Sequence, residues 1–253
     1  MPVANTHSRW VNGALVYYDG NDHRKGWLDA VGSNVVKYIN DFVVCPRSTK
    51  AADATNNPEW IITHTSVGTG MSEVKNANLT GGVMMLEPAS NDNDGIDMQL
   101  LGEDFSPKAD CPLYFGVRYK CDEKTESDFI LGIVEHETAV IDGASHGIYF
   151  GKSDGETHVK LHVVKDVTSD KTVVMTTDVT NTGWHVDEFL VESTGRIDCW
   201  HDGTQMTSLT TSAIPSTDMA VTIAFESGAA ISTYALYIDW IRCIQINNAR
   251  TTE

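Results

Sequence analysis

Basic residues are scarce in this chain of 253: 18 Lys and Arg stand against 35 Asp and Glu, a formal net charge of −17. A general nucleic-acid binder needs Lys and Arg to displace counterions from phosphates, so that class is excluded. The acidic surplus suits a well-solvated surface, or a face that docks onto a basic one. Long apolar runs are missing too. Nothing approaches the roughly 18 residues of a membrane-crossing helix, so no membrane partner is expected. Met1-Pro2-Val3-Ala4-Asn5-Thr6 has neither the basic nor the apolar region of a secretory signal, and synthesis in a cytoplasm is expected. Cysteine is sparse and unpatterned. Cys45, Cys111, Cys121, Cys199 and Cys243 include no metal-like spacing. They read as small buried hydrophobes of a reducing compartment, with a Cys111–Cys121 bridge as the alternative. Amphipathic helix patterns, internal repeats, phosphate-binding glycine loops and nucleophile elbows are all absent.

What is there is a ladder of short strands. Leu113 to Cys121 alternates cleanly, Gly147-Ile148-Tyr149-Phe150 runs into Ser153-Asp154-Gly155, and Trp200-His201 feeds into Asp202-Gly203. Strands at roughly 8–12-residue spacing with Asx-Gly turns signal a sandwich or barrel. Asp202-Gly203 suits a two-residue hairpin turn at positive φ. Gly183 frees the backbone before Trp184 enters the core, and Ile238 and Trp240 alternate with Asp239 as in a half-buried strand. About a dozen strands are expected in some 200 residues. The fold class is all-β: a two-sheet antiparallel jelly-roll sandwich over residues 46–253, preceded by an N-terminal extension over residues 1–45. Within that extension Val35 to Phe42 reads as a strand or a single helical turn. Its Arg9, Trp10, Tyr17, Tyr18, Arg24 and Trp27 stand among Gly, Asn and Asp. They suit either an arm that contacts a partner or the cover of one edge of the same core.

The order of Gly81-Gly82-Val83-Met84-Met85-Leu86, Asp97-Met98-Gln99, Gly102-Glu103-Asp104-Phe105, Phe115-Gly116-Val117-Arg118-Tyr119, Gly183-Trp184 and Ile238-Asp239-Trp240-Ile241-Arg242 resembles the concanavalin A-like (laminin-G-like) jelly rolls of tailed-bacteriophage structural proteins. The resemblance spans nearly the whole chain on loose motifs. It implies a non-enzymatic capsid decoration, or cement, protein on the outside of a virion. Its partners would be the major capsid protein and further copies of itself, as a trimer or dimer. The alternative is a glycan-binding adhesion module of a phage tail or fibre.

Glycan-cleaving enzymes share this broad fold, and two carboxylates in one cleft are the pattern they require. Glu135 and Glu137, flanking His136, would share a face if they lay on a strand, but the Glu-x-Asp-x-Glu-type glucanase signature is absent. Asp187 and Glu188 fall on opposite faces of one strand. His158 and His162 share a face but lie roughly 13 Å apart, too far for one metal. His136, His146, His185 and His201 can converge only through the fold. No cofactor is expected; calcium in Asn91-Asp92-Asn93-Asp94-Gly95 is the alternative, weakened by the lack of a bidentate Glu. The chain is expected not to be an enzyme.

Overall fold

The computed structural model describes residues 5–46, 48–49, 59–65, 73–123, 125–141, 143–167, 169–175, 183–193, 195–228 and 234–248. All of its elements are β-strands, and all pairings between them are antiparallel. Twenty strands form among the described residues: four lie within residues 1–45, and sixteen, three of them two-residue pieces, stand where about a dozen were expected.

The chain opens with a meander of β1 (Thr6–Val11), β2 (Ala14–Asp19) and β3 (Trp27–Val31). Asn12 and Gly13 close its first hairpin at positive φ, the backbone that a two-residue turn demands. The larger sheet runs β17 (Thr204–Gln205), β16 (Arg196–His201), β15 (His185–Ser193), β10 (Leu113–Cys121), β20 (Leu236–Ile246), β8 (Met84–Glu87), β7 (Glu73–Asn76) and β5 (Ser48–Thr49). In addition, β18 (Leu209–Thr210) pairs with β16 and β4 (Val35–Asn40) with β20. The smaller sheet runs β14 (Ser169–Val174), β13 (Lys160–Lys165), β12 (Gly147–Lys152), β11 (Ser127–Val134), β19 (Ala220–Ser227), β9 (Gly95–Leu100) and β6 (Trp60–Thr65).

Alternation places the core. Leu113, Phe115, Val117 and Tyr119 of β10 face Leu131 and Ile133 of β11, Phe150 of β12 and Ile223 of β19, all fully buried. Phe115 stacks on Phe189 at 5.3 Å between ring centroids. Burying such rings supplies most of the sandwich's stability. Cys111, Cys121, Cys199 and Cys243 are buried free thiols and Cys45 is also unbridged, so the alternative Cys111–Cys121 disulfide does not form.

A second core lies behind the larger sheet. Ala14, Val16, Trp27 and Ala30 of the meander pack on Tyr114, Leu190, Trp200, Ile244 and Ile246. The boundary expected after residue 45 therefore falls inside the structure. β4 is a strand of the large sheet, and the meander is a third layer sealed onto that sheet's outer face, because apolar residues on both sides of it need cover. β4 also resolves the ambiguity over Val35 to Phe42: it is a strand, ended by Phe42 at φ 51°.

One irregularity shapes the outer face. The β10–β20 register shifts at Arg118 and Tyr119, which face Trp240 and Ile238, so Asp239 is an extra residue in β20. A bulge of this kind breaks alternation. Ile238 and Ile241 point into the core, whereas Trp240 stays half-exposed, away from the side that simple alternation with Ile238 gives it. Asp239 pairs with Arg118. Trp184, expected in the core, is half-exposed as well, with the Arg118 guanidinium 4.7 Å from its ring centroid.

Candidate functional site

Beside the seam between the meander and the large sheet lies a cavity of about 480 Å³, lined among others by Lys25, Gly26, Glu188, Asp202, Trp240 and Arg242. The bulge turns Trp240 toward it. The Arg242 guanidinium carbon sits 4.1 Å from the Trp240 ring centroid, a cation–π contact, and its Nε is buried with no hydrogen-bond partner among the described residues. Lys25 donates from Nζ to the Gly203 carbonyl.

Glu188 is the cavity's buried carboxyl. The Tyr114 hydroxyl donates to its Oε1 at 2.5 Å and the Gly26 N–H to the same oxygen at 2.6 Å. Burial pushes its pKa up, and the Tyr114 and Gly26 hydrogen bonds with the Lys25 and Arg242 charges only partly reverse that. Asp202 moves the opposite way. Burial would raise it, but the His185 hydrogen bond, the Val186 N–H and the nearby imidazoles outweigh burial and hold it below the ordinary value.

The raised Glu188 pKa has a stability consequence with a definite sign. The stability it lends is complete below the unfolded carboxyl pKa and fades as pH climbs through the folded value. Glu188→Gln keeps an acceptor for both hydrogen bonds and stays neutral. The variant is expected to unfold at higher urea than the parent at about pH 7, the gap closing near pH 4. A gap that is equal or larger at the lower pH would contradict the assignment.

The other sequence candidates lie elsewhere. Glu135 and Glu137 fall after β11 ends, in a loop, and so do not share a strand face. Glu135 Oε2 lies 2.8 Å from His146 Nδ1, while Glu137 Oε1 accepts the Ser145 N–H. Glu137 and His136 line a separate hollow of about 560 Å³ with Gln99 and Thr63, and Glu135 does not. His158 precedes β13 while His162 lies within it, stacked on Tyr149 at 5.0 Å, so the two share no strand face. In the Asn91–Gly95 turn Asp94 Oδ2 accepts the Asn91 backbone and side-chain N–H groups at 3.0 and 2.7 Å, which is turn chemistry. The fold does bring His185 and His201 together, their rings stacked at 5.2 Å.

The six partner-contact residues divide. Trp27 is buried, stacked on Tyr114 at 5.4 Å with its indole N–H on the His23 carbonyl, so it is a core residue. Arg24 pairs with Asp22 and Asp198. Arg9, Tyr17 and Tyr18 are half-buried, and Trp10, on β1, is 72% exposed. Only Trp10 of the six stands clear of the fold. Glu188 figures in the sequence only as a carboxylate on the face opposite Asp187, and Trp240 and Arg242 carry no site signal there. The Asp202-Gly203 turn, with φ 47° and 75°, was the site's one visible anchor.

No protein-family model matches this chain, and no curated protein does. Solved structures do. A protein of unknown function from Shewanella oneidensis MR-1 is 16% identical, with a TM-score of 0.54 over 88% of this chain and 91% of that one. An endo-1,3-beta-glucanase from Streptomyces sioyaensis is 10% identical, with a TM-score of 0.55 over 87% and 99%. A beta-1,3-1,4-glucanase (lichenase) derived from a mouse hindgut metagenome is 12% identical, with a TM-score of 0.55 over 82% and 98%. The chain thus shares the two-sheet jelly-roll fold of these neighbours. These likenesses also correct the expectation that it is not an enzyme. That expectation rested on the missing glucanase signature and on the resemblance to virion proteins, whereas the scaffold itself is shared with glucanases. The expected relation to phage virion proteins has no counterpart among these neighbours.

Proposed function

We propose that the chain is a glycan-active jelly roll that holds a saccharide in the cavity beneath the meander. The observation that carries this reading is the joint presence there of the half-exposed Trp240, of the Arg242 guanidinium stacked on it, and of the buried Glu188, whose pKa burial raises. An apolar aromatic wall with a few convergent polar groups is the usual composition of a small-ligand site. Laminarin and mixed-linkage glucan, polymers of the linkages named for the glucanase neighbours, are the first ligands to test by calorimetry. Trp240→Ala is expected to weaken binding at least tenfold with thermal stability little changed, since Trp240 lies outside both cores. Unchanged affinity in Trp240→Ala and Arg242→Ala would remove the site.

A second reading, hydrolysis, is favoured by Glu188. With Oε1 occupied by two donors, Oε2 is the oxygen that can carry a proton to a glycosidic oxygen, and Asp19 lines the same cavity as a second carboxylate. Reducing-end release that survives Glu188→Gln would sink it. A place on a virion surface rests on the loose sequence motifs and on Trp10 alone. Its test is the copy number per purified particle, where complete absence ends that reading.

A further inference from the structure

We propose that His185, His201 and Asp202 form a binding site for a divalent transition-metal ion of the zinc class. The argument is independent of the glycan reading. Asp202 Oδ2 lies 3.0 Å from His185 Nδ1 and 3.4 Å from His201 Nε2. One ligand atom from each of the three residues fits within 4.8 Å of the others. Ligands at about 2.1 Å around a tetrahedral ion sit about 3.4 Å from one another, so the two separations from Asp202 match edges of such a polyhedron.

The groups behind them are arranged as metal sites require. His201 Nδ1 lies 2.7 Å from Oδ1 of the fully buried Asp187, whose Oδ2 accepts the Tyr119 hydroxyl at 2.8 Å. A carboxylate on one ring nitrogen fixes the tautomer and leaves the other nitrogen's lone pair for the ion. Asp202 is held as firmly: Val186 N–H donates to Oδ1 at 2.8 Å, and the Asp202 N–H donates to the Val186 carbonyl at 2.8 Å. That leaves Oδ2 to point at the imidazoles. The register explains the convergence. His201 faces Asp187 directly across the β15–β16 pair, so His185 lies diagonal to it on the same face, and the two-residue turn brings Asp202 over both.

Two features select the ion. Two imidazoles and one carboxylate suit zinc, nickel or copper rather than calcium or magnesium, which prefer oxygen. The His185 and His201 side chains are only 13% and 15% exposed, whereas Asp202 is 45% exposed, so a fourth position opens to water. His146 makes an instructive contrast. Glu135 and Asp166 lie at its two different ring nitrogens, on opposite sides of the ring, and cannot share one ion.

The test uses the untagged full chain, stripped with a chelator and titrated calorimetrically with Zn²⁺. One ion per chain is expected, with excess Ca²⁺ and Mg²⁺ failing to compete. His201→Ala and Asp202→Asn should each lower the affinity at least tenfold, Asp187→Asn by about 10–100-fold, and His146→Ala not at all. No binding, equal binding in the His185→Ala/His201→Ala double variant, or loss in His146→Ala would each overturn the site. Should a variant fail to fold, Co²⁺ on the parent chain decides. Intense visible bands of a four- or five-coordinate ion support the assignment, and weak octahedral bands overturn it.

Discussion

Trp27→Ala is expected to cost about 3–5 kcal/mol of unfolding free energy, the range found for truncating a large buried aromatic. The indole is 2% exposed, stacks nearly parallel on Tyr114, and belongs to the cluster in which Ala14, Val16 and Ala30 cover Leu190, Trp200 and Ile244. Its loss opens a hole at the centre of the layer contact and orphans the His23 carbonyl that its N–H satisfied. Trp10→Ala, seventeen positions earlier and 72% exposed, should lie within about 0.5 kcal/mol of the parent. Urea unfolding of the two variants side by side checks both. Equal costs would mean that the meander is not sealed onto the large sheet.

Gly132→Ala is the second large effect expected, at about 3 kcal/mol or more, because overpacking that meets backbone has nowhere to relax. Gly132 sits mid-strand in β11, opposite Tyr149 on one side and Thr222 on the other. A Cβ there would collide with the Ile148 carbonyl oxygen and the Tyr149 Cα. Gly147 and Gly151 complete the bed, since methyl groups at those positions would press on the Tyr149 ring at 2.9 and 3.2 Å. Together they let the ring lie flat and stack on His162. Gly195→Ala, with no neighbour within 4 Å among the described residues, serves as the neutral control. A Gly132→Ala protein as stable as the Gly195→Ala protein would show that the bed is unimportant.

Strand existence was legible because alternation and turn chemistry are local. Leu113 to Cys121 could be bounded to the residue, and Asp202-Gly203 was readable as a turn. What alternation cannot express is which of two faces meets solvent, or that a single inserted residue exchanges them. Asp239 is such a residue, and by shifting the register it moved Trp240 from an expected core position to the wall of a cavity. Trp27 and Trp10 are equally aromatic and equally surrounded by polar neighbours in sequence. They separate only through Tyr114, nearly ninety positions away, which gives one of them a stacking partner. The candidate site was less legible still. Glu188 becomes notable through Tyr114 and Gly26, and His185 meets His201 only once β15 and β16 pair. Isolated carboxylates and imidazoles along a chain carry no trace of such distant partners.

The position of β20 has a bearing on how the protein comes into being. It joins three strands at once, β10 along one edge and β8 and β4 along the other, and its pairing with β4 links Val35–Asn40 to Ile241–Ile246. A polypeptide emerging from the ribosome cannot complete the middle layer until residue 246 is outside the exit tunnel. Until then the early strands expose unpaired edges and apolar faces, the situation in which slow, non-local β topologies are most prone to aggregate. Nascent chains stalled short of β20 would therefore be protease-sensitive and chaperone-bound, and the emergence of β20 would act as the trigger for folding.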